Sequence, residues 1–573
     1  MTSQTLQTVS IMQIQGKGQF SPLKGHYVET SGIVTLITAN KDGFWMQDPK
    51  GDGDPATSDG LFVFGFPSLV MPSVGDSIRI LGRVEEEQKG NELPRTRLVT
   101  VQSPEVVSQG NPLPEPVQLT KLPDASLAEG IAFWESIEGM RVRVDNAPVV
   151  SPTSRFRQFD IVAPGNAVAG AGFHPESGVL VMRSIGGGGG SRGDQVDYDP
   201  ERIMIDDDTV EKVEEVSTGD RVTALVGVVD YSFGYPKIQP ESLQVVKKEI
   251  PKPPVSTRTG PEGNLVITTY NLWDFFTDKP QGKNARYVLK PDELAKRIEK
   301  IAQSIVTELR LPHILHVQEL EGANLDPVVK RVNELAGSGH HYESASLPTS
   351  DWRNLTTAYI YDSARVKLKD LYQFKGGNTD TVFGDKSPVG NRQPLVGVFE
   401  VGPGLPPVTV IGNKLKTKRA EESPFNAEPP FRFTELQRKK QAYSIRQFVD
   451  SLLEKDPNAL IAITGDLGDF DFAEPGEGAD YPLAVLEGMK GKVPMTNVAN
   501  RVDEANRYDY IFQGQGTVVS HTLVSPALLK TFVGADFLHF NTRYPDGMKW
   551  DTGTTIRASD RDPLESRFQI GKK

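Results

Sequence analysis

The chain has 573 residues and a formal charge of −12, so its length argues for about two to four domains and its charge against a surface that attracts nucleic acid everywhere. It contains no cysteine, which excludes disulfides, thiolate chemistry and cysteine zinc sites. No apolar run approaches the roughly 20 residues of a membrane span, and the polar start MTSQTLQTVS has no signal core, so either export does not use that route or a leader is already gone.

From the N-terminus, VETSGIVTLIT, GFWMQDP, DGLFVFGF and DSIRILGRVEE alternate apolar and polar residues at strand length. The set recurs from residue 139 onward as MRVRVDNAPVV, RQFDIVAP and DRVTALVGVVDYS. Two all-β barrels of the OB type account for that spacing. One covers residues 1–110 and the other 111–246, with GGGGGSRGDQ at 186–195 as a flexible loop inside the second. KKEIPKPPVSTRTGP, starting at Lys247, mixes proline, charge and small residues without an apolar period, and reads as a semi-rigid linker over 247–262.

Residues 263–573 mix the two element types. LVITTYNLW, HILHVQEL, TTAYIYD, PLVGVFEV, VTVIGNKL and ALIAITGD read as strands. DELAKRIEKIAQSIVTEL places Leu294, Ile298, Ile301 and Ile305 on one helical face, and a second helix spans 434–454. Strands with intervening helices suggest an α/β sandwich of two sheets.

Short motifs at the strand ends follow one another in a telling order. TTYNLW holds Asn271 and HVQELEG holds Glu319; DWRNLTTAYIYDSARV, VIGNKLKTK, ITGDLGDF, SHTLVSPALL and RASDRDP complete the series. The series resembles the endonuclease/exonuclease/phosphatase superfamily, the DNase I-like fold. GFWMQDPKGDGDPATSDGLFV, FWESIEGMRVRVDNAPVV, DYDPERIMIDD and GVVDYSFGYPKIQP look like the N-terminal segments of its bacterial extracellular nucleases, in which OB-type domains precede the catalytic one. The resemblance covers nearly the whole chain and implies a secreted protein.

Phosphodiester hydrolysis in such a fold needs a divalent ion, an activated in-line water and donors for the charge that develops on phosphorus. By resemblance, Asn271, Glu319 and Asp560 are the metal side, with magnesium or manganese as the suitable ion, and Asp466 aligns the water. The proton-transfer positions depart from the pattern. Lys414 follows Asn413 where the family has histidine. Gly468 replaces a water-orienting amide, and Ser520 replaces the aspartate that orients the catalytic histidine. Arg561 replaces that histidine itself. Arginine stays protonated and cannot serve as a base. The expectation is therefore an impaired, pseudoenzyme-like nuclease homologue; the alternative is an active DNase or RNase with altered proton transfer.

Two fates are open to the altered cleft. Asn413, Lys414, Lys416 and Arg561, with Lys418, Arg419 and Arg557 nearby, could grip a phosphate of DNA, RNA or another polyanion. Otherwise Lys414 and Arg561 could fold onto the carboxylates and close the site, leaving a role in protein or self-assembly contacts. The second is expected in the free protein. In the first barrel, Asp48, Asp52, Asp54 and Asp59 could hold calcium, although the same residues make good turns. Phe44, Trp45 and Phe62 could offer a stacking surface to a single strand, and His340-His341 reads as a surface pair.

Overall fold

The computed structural model describes residues 7–65, 70–90, 92–100, 102–168, 172–185, 195–209, 213–248, 258–276, 289–321, 325–348, 356–374, 393–418, 425, 432–488 and 492–571. The glycine-rich loop at 186–194, most of the linker (249–257), the DWR element at 351–353 and Arg419 lie outside the described residues.

The first unit is a closed barrel of five strands, β1 (Tyr27–Ile37), β2 (Gly43–Gln47), β3 (Gly60–Gly65), β4 (Ser77–Glu87) and β5 (Arg95–Thr100). They pair in the order β1-β2-β3-β5-β4, with β3 and β5 parallel, and β4 pairs back onto β1. Alternation puts Val28, Val34, Met46, Val63, Ile78, Val84 and Leu98 inside. The second unit repeats the order with β6 (Arg141–Pro148), β7 (Phe159–Val162), β8 (Arg202–Ile205), β9 (Arg221–Ser232) and β10 (Tyr235–Val246). Here β8 and β10 are the parallel pair, and one bridge, Val149 to Ile161, joins the two ends.

The barrels share a face. Trp45 and Phe62 are buried against Val228 of β9, and Phe44 lies in the first core. The three aromatics expected to stack on a nucleic-acid strand are therefore interior: alternation tells which side of a strand they occupy, but not what covers it. Arg95 forks between Asp230 across the junction and Glu87 of its own barrel. Asp48, Asp52 and Asp54 accept hydrogen bonds from backbone amides of their own turn, and Asp54 also meets Lys17.

In the last region, one six-stranded sheet contains β11 (Leu265–Phe275), β12 (Ile314–Leu320), β13 (Tyr342–Ser346), β14 (Thr356–Asp362) and a C-terminal hairpin, Phe532–Phe537 with Leu564–Phe568. The other has β15 (Lys367–Gln373), β16 (Leu395–Glu400), β17 (Val408–Lys414), β18 (Leu460–Asp466) and the strand Ser520–Val524. The sheets share one core, which includes Leu265, Ile267, Ile314, Val408, Val410, Leu460 and Ala462. The helix Pro291–Thr307 packs on the outer side of the first sheet, and Glu435–Lys455 on that of the second. Strands buried on both faces read as continuous apolar runs, which is why LVIT and ALIAI stand out in the sequence. The end of the linker is strapped down rather than spaced out: buried Arg258 pairs with Glu565, and Asp536 accepts from the Thr259 amide.

The barrels meet glycine on glycine at one point. A Cβ on Gly60 would stand 2.2 Å from the carbonyl carbon of Gly139. Gly60→Ala should therefore force the barrels apart and destabilise them by about 1–3 kcal/mol. Gly18→Ala, where nothing lies within 4 Å, should change stability by less than about 0.5 kcal/mol. Calorimetric melting of the two variants beside wild type checks this.

Candidate active site

Two parallel strand pairs end at one rim. Asn271, the last residue of β11 before its register with β12 shifts, and Glu319, next to last in β12, lie on one side of the rim; Lys414 and Asp466 close β17 and β18 as register partners on the other. Ser520, which opens the neighbouring strand, faces Asp466 across the ladder. The turn at 559–562 brings Asp560 and Arg561 to the same rim, tied down by the Ser559 hydroxyl, which donates to the Asn271 carbonyl at 2.6 Å.

The ammonium of Lys414 occupies the centre. Its Nζ lies 2.5 Å from Asp466 Oδ2 and 2.9 Å from Glu319 Oε1. Asp466 Oδ2 also accepts from Asn271 Nδ2 at 3.2 Å, and Oδ1 accepts from the Gly468 amide at 3.0 Å. Arg561 Nη1 approaches Asp466 at 3.7 Å, while its guanidinium rests on the Tyr510 ring, 3.9 Å from the centroid. Burial pushes Glu319 and Asp466 toward protonation, but Lys414 and Arg561 outweigh it and hold both carboxyls below the usual range. Asp560, farther from Lys414, is pushed up to about 6 by burial, against the pull of Arg561.

The backbone around the rim is under strain. Trp273, Asp274, Glu319 and Arg557 all have φ between 46° and 60°, a region that side chains other than glycine enter at a cost of about 1–3 kcal/mol each. Gly468 also has positive φ, and a Cβ there would fall 2.5 Å from the Lys416 carbonyl oxygen. An asparagine could not simply replace it.

The phosphate set is dispersed. The Asn413 side chain donates to the Ile411 carbonyl within its own sheet. Lys416 gives its amide to Gln441. Lys418 is withdrawn into a buried acidic pocket, 2.7 Å from Asp469 and 2.6 Å from Glu474. The expected basic run after β17 is therefore internally neutralised at Lys418, because its partners lie more than fifty residues downstream. Arg557 binds Asp546 and the Asn541 carbonyl. His521 is buried with both ring nitrogens engaged, by Asn497 and the Asp469 carbonyl. His340 pairs with Asp362 at 2.6 Å.

Sequence reading passed over two groups. Asp509 is buried beside Ser520, takes the Val519 amide on Oδ1, and has no partner on Oδ2 among the described residues. Its neighbour Tyr510 carries Arg561. An acid–aromatic pair before the tight turn Phe512–Gln515 is the one signal the sequence offers. The second is Lys300, fully buried on the 291–307 helix. Its ammonium donates to the carbonyls of Met548, Asp551, Thr554 and Ile556 at 2.5–3.0 Å. The loop that precedes Arg557, Asp560 and Arg561 is wrapped around that cation.

Residues 103–248, which take in the second barrel, match a domain of unknown function, DUF8508. No curated protein matches the sequence. Among similar solved structures is an endonuclease/exonuclease/phosphatase from Bacteroides vulgatus, 12% identical, covering 54% of this chain and 99% of its own, with TM-score 0.35. Another is the human Nocturnin catalytic domain with bound sulfate, at 15% identity, 55% and 98% coverage and TM-score 0.35. A third is a family protein of the same kind from Bacteroides thetaiotaomicron, at 13%, 54% and 97%, with TM-score 0.32.

Removing the central cation should reverse the pH response of the rim. Glu319 and Asp466 have folded pKa values below their unfolded ones. They therefore add stability above about pH 4 that is lost as pH falls through the folded values. In Lys414→Met only Arg561 is left to answer the two carboxylates, 3.7 Å from Asp466; burial, the largest influence on both, then prevails, their pKa values rise, and their contribution falls as pH rises above about 4. The variant should lose about 3–5 kcal/mol at neutral pH, with a smaller deficit at pH 4. Melting curves of both proteins between pH 3.5 and 7.5 check the crossover.

Proposed function

We propose that residues 263–573 form a nuclease-derived module that no longer turns over phosphodiesters, carried behind two OB-type barrels. The observation that carries this reading is the Lys414 ammonium between Glu319 and Asp466. An oxygen-liganded metal would have to bind through those carboxylates. Here they are already paired, and a fixed positive charge between them repels a divalent ion. Asn271 is also committed, donating to Asp466 and accepting from the Trp273 amide. The residues present do not fit magnesium or manganese unless Lys414 leaves. Nor is a base at hand, because the histidine positions hold a paired lysine and an arginine on an aromatic ring. Secretion belongs to the same reading and rests on the sequence resemblance.

Contact with nucleic acid, if retained, fits the neighbouring rim better than the site itself. Lys549 lies 4.6 Å, Arg557 5.4 Å and Arg297 5.7 Å from the Trp273 ring, giving an indole ringed by cations.

Purified protein incubated with single-stranded DNA, duplex DNA or RNA in magnesium or manganese tests the proposal. Wild type is expected to show no metal-stimulated hydrolysis. Lys414→His with Arg561→His should gain at least about 10²-fold over it, with Asp509 available to orient the new histidine and Gly468 left in place. Metal-stimulated hydrolysis by wild type that disappears in Asp466→Asn would overturn the reading.

A further inference from the structure

Three groups of acids are drawn together among the described residues: Asp197 with Asp199 and Glu201, Asp206 with Asp207 and Asp208, and Asp469 with Glu474 and Glu477. Two of them have cations to answer them. Asp469 and Glu474 meet Lys418, Arg438 and Arg432 at 2.6–2.9 Å. Asp206 meets Lys237 at 2.6 Å, and Asp207 meets Arg157 at 3.5 Å.

The group at 197–201 is different. Its ligand oxygens all lie within 4.8 Å of one another. Asp199 and Glu201 are buried, with 0% and 3% of their surface exposed. Asp199 accepts one hydrogen bond on Oδ2, from Gln515 Nε2 at 2.7 Å, and its Oδ1 has no partner among the described residues. Glu201 Oε2 is likewise buried without a partner among them. Arg202, the nearest cation in sequence, gives its guanidinium to backbone instead, to the carbonyls of Asp199, Tyr198 and Gln513. Arg183 meets Asp197 at 3.5 Å, which leaves the two buried carboxylates, Asp199 and Glu201, without an ion pair among the described residues.

The chain builds this arrangement locally. Asp197 ends a short strand, and Asp199 takes a left-handed conformation with φ 48°. The Asp199 amide donates to Asp197 Oδ1 at 3.1 Å, and Pro200 has no amide hydrogen to offer. The bend turns the carboxylates of alternate residues into one small volume. Two buried carboxylate oxygens, Asp199 Oδ1 and Glu201 Oε2, are thereby left unanswered by any described donor, and a bound cation would satisfy both.

We propose that Asp197, Asp199 and Glu201 hold a calcium ion that locks the second barrel to the hairpin at 510–517. The donors are all oxygen, which suits a hard cation rather than zinc. Oxygens across one calcium stand about 4.6–5.2 Å apart at most, so oxygens that all lie within 4.8 Å of one another can share one ion. Magnesium demands near-ideal octahedral geometry at about 2.0–2.1 Å and sheds its waters reluctantly, whereas calcium accepts an irregular shell. Backbone carbonyls or water complete the shell.

The hairpin is already pinned at this point. Gln515 donates to Asp199, Gly516 pairs with Val181, and Val179 and Val181 pack on Tyr508 and Ile511. Its first strand holds Tyr510 against Arg561. An ion at the cluster therefore fixes the segment that supports the rim of the candidate active site, although the cluster itself stands apart from that rim and does not depend on the reading of its chemistry.

Calorimetric titration of the EDTA-treated full chain with calcium, and separately with magnesium, tests the site, with melting temperature read in both ions. Calcium should bind and raise the melting temperature by several degrees at millimolar concentration, and magnesium should do much less. Asp199→Asn with Glu201→Gln keeps the shape and removes two charges. It should lose the calcium response while melting no lower than wild type in EDTA, because the repulsion has gone with the ligands. Asp466→Asn should keep the response. Should the double variant fail to fold, Glu201→Gln alone should weaken calcium binding at least tenfold. No calcium binding by wild type, an equal response to magnesium, or a response that survives in the variants of the cluster would overturn the proposal.

Discussion

One ammonium sets the electrostatics of the rim. Lys414 stands at the end of a strand whose register places it directly beside Asp466, so its position is fixed by the sheet rather than by side-chain flexibility. Around it the other groups fall into place. Asp466 uses both oxygens within the protein, Glu319 is kept ionised in a buried setting, and Arg561 is free to lie on Tyr510 because the nearest carboxylate is already answered. Buried ion pairs of this sort are not a source of much net stability, but each partner is costly to remove once the other is there. That asymmetry keeps the closed arrangement together.

The parts of the fold legible in the sequence were those with strong period or strong punctuation. The 291–307 helix announces itself through Leu294, Ile298, Ile301 and Ile305, and the strand ends that carry Asn271, Glu319, Lys414 and Asp466 follow apolar runs buried on both faces. The parts that were not legible depend on distant partners. Lys418 looks like a surface charge until Asp469 and Glu474 fold over it. Trp45 and Phe62 look like a platform until β9 covers them. Asp509 precedes and Tyr510 opens a strand only three residues long, too short for any periodicity to mark.

The three units are less separate than a chain of barrels and sandwich suggests. Asp546 takes the amide of Arg155, Arg543 reaches Ser177 and Thr218, and Arg432 bonds Tyr198. Phe425 packs into the core of the second barrel. The hydrogen bonds at these contacts involve backbone groups as often as side chains, so the relative placement of the units is specified by polar geometry as well as by apolar area. The hairpin that braces Arg561 is shared between the barrel and the sandwich. The state of the rim thereby depends on a unit that contributes none of its carboxylates.

Lys300 adds a consequence for the order in which the protein is made. A loop that closes its carbonyls around a dissolved ion takes its shape whenever that ion is at hand. Here the cation is the tip of a helix residue roughly 250 positions earlier in the chain. The loop at 546–557 has nothing to close around until the 291–307 helix is formed and docked, and contacts of such long sequence separation are the slow ones to form. Arg557 ends that loop and Arg561 follows it, so the approach of both to the rim rests on the same long-range contact.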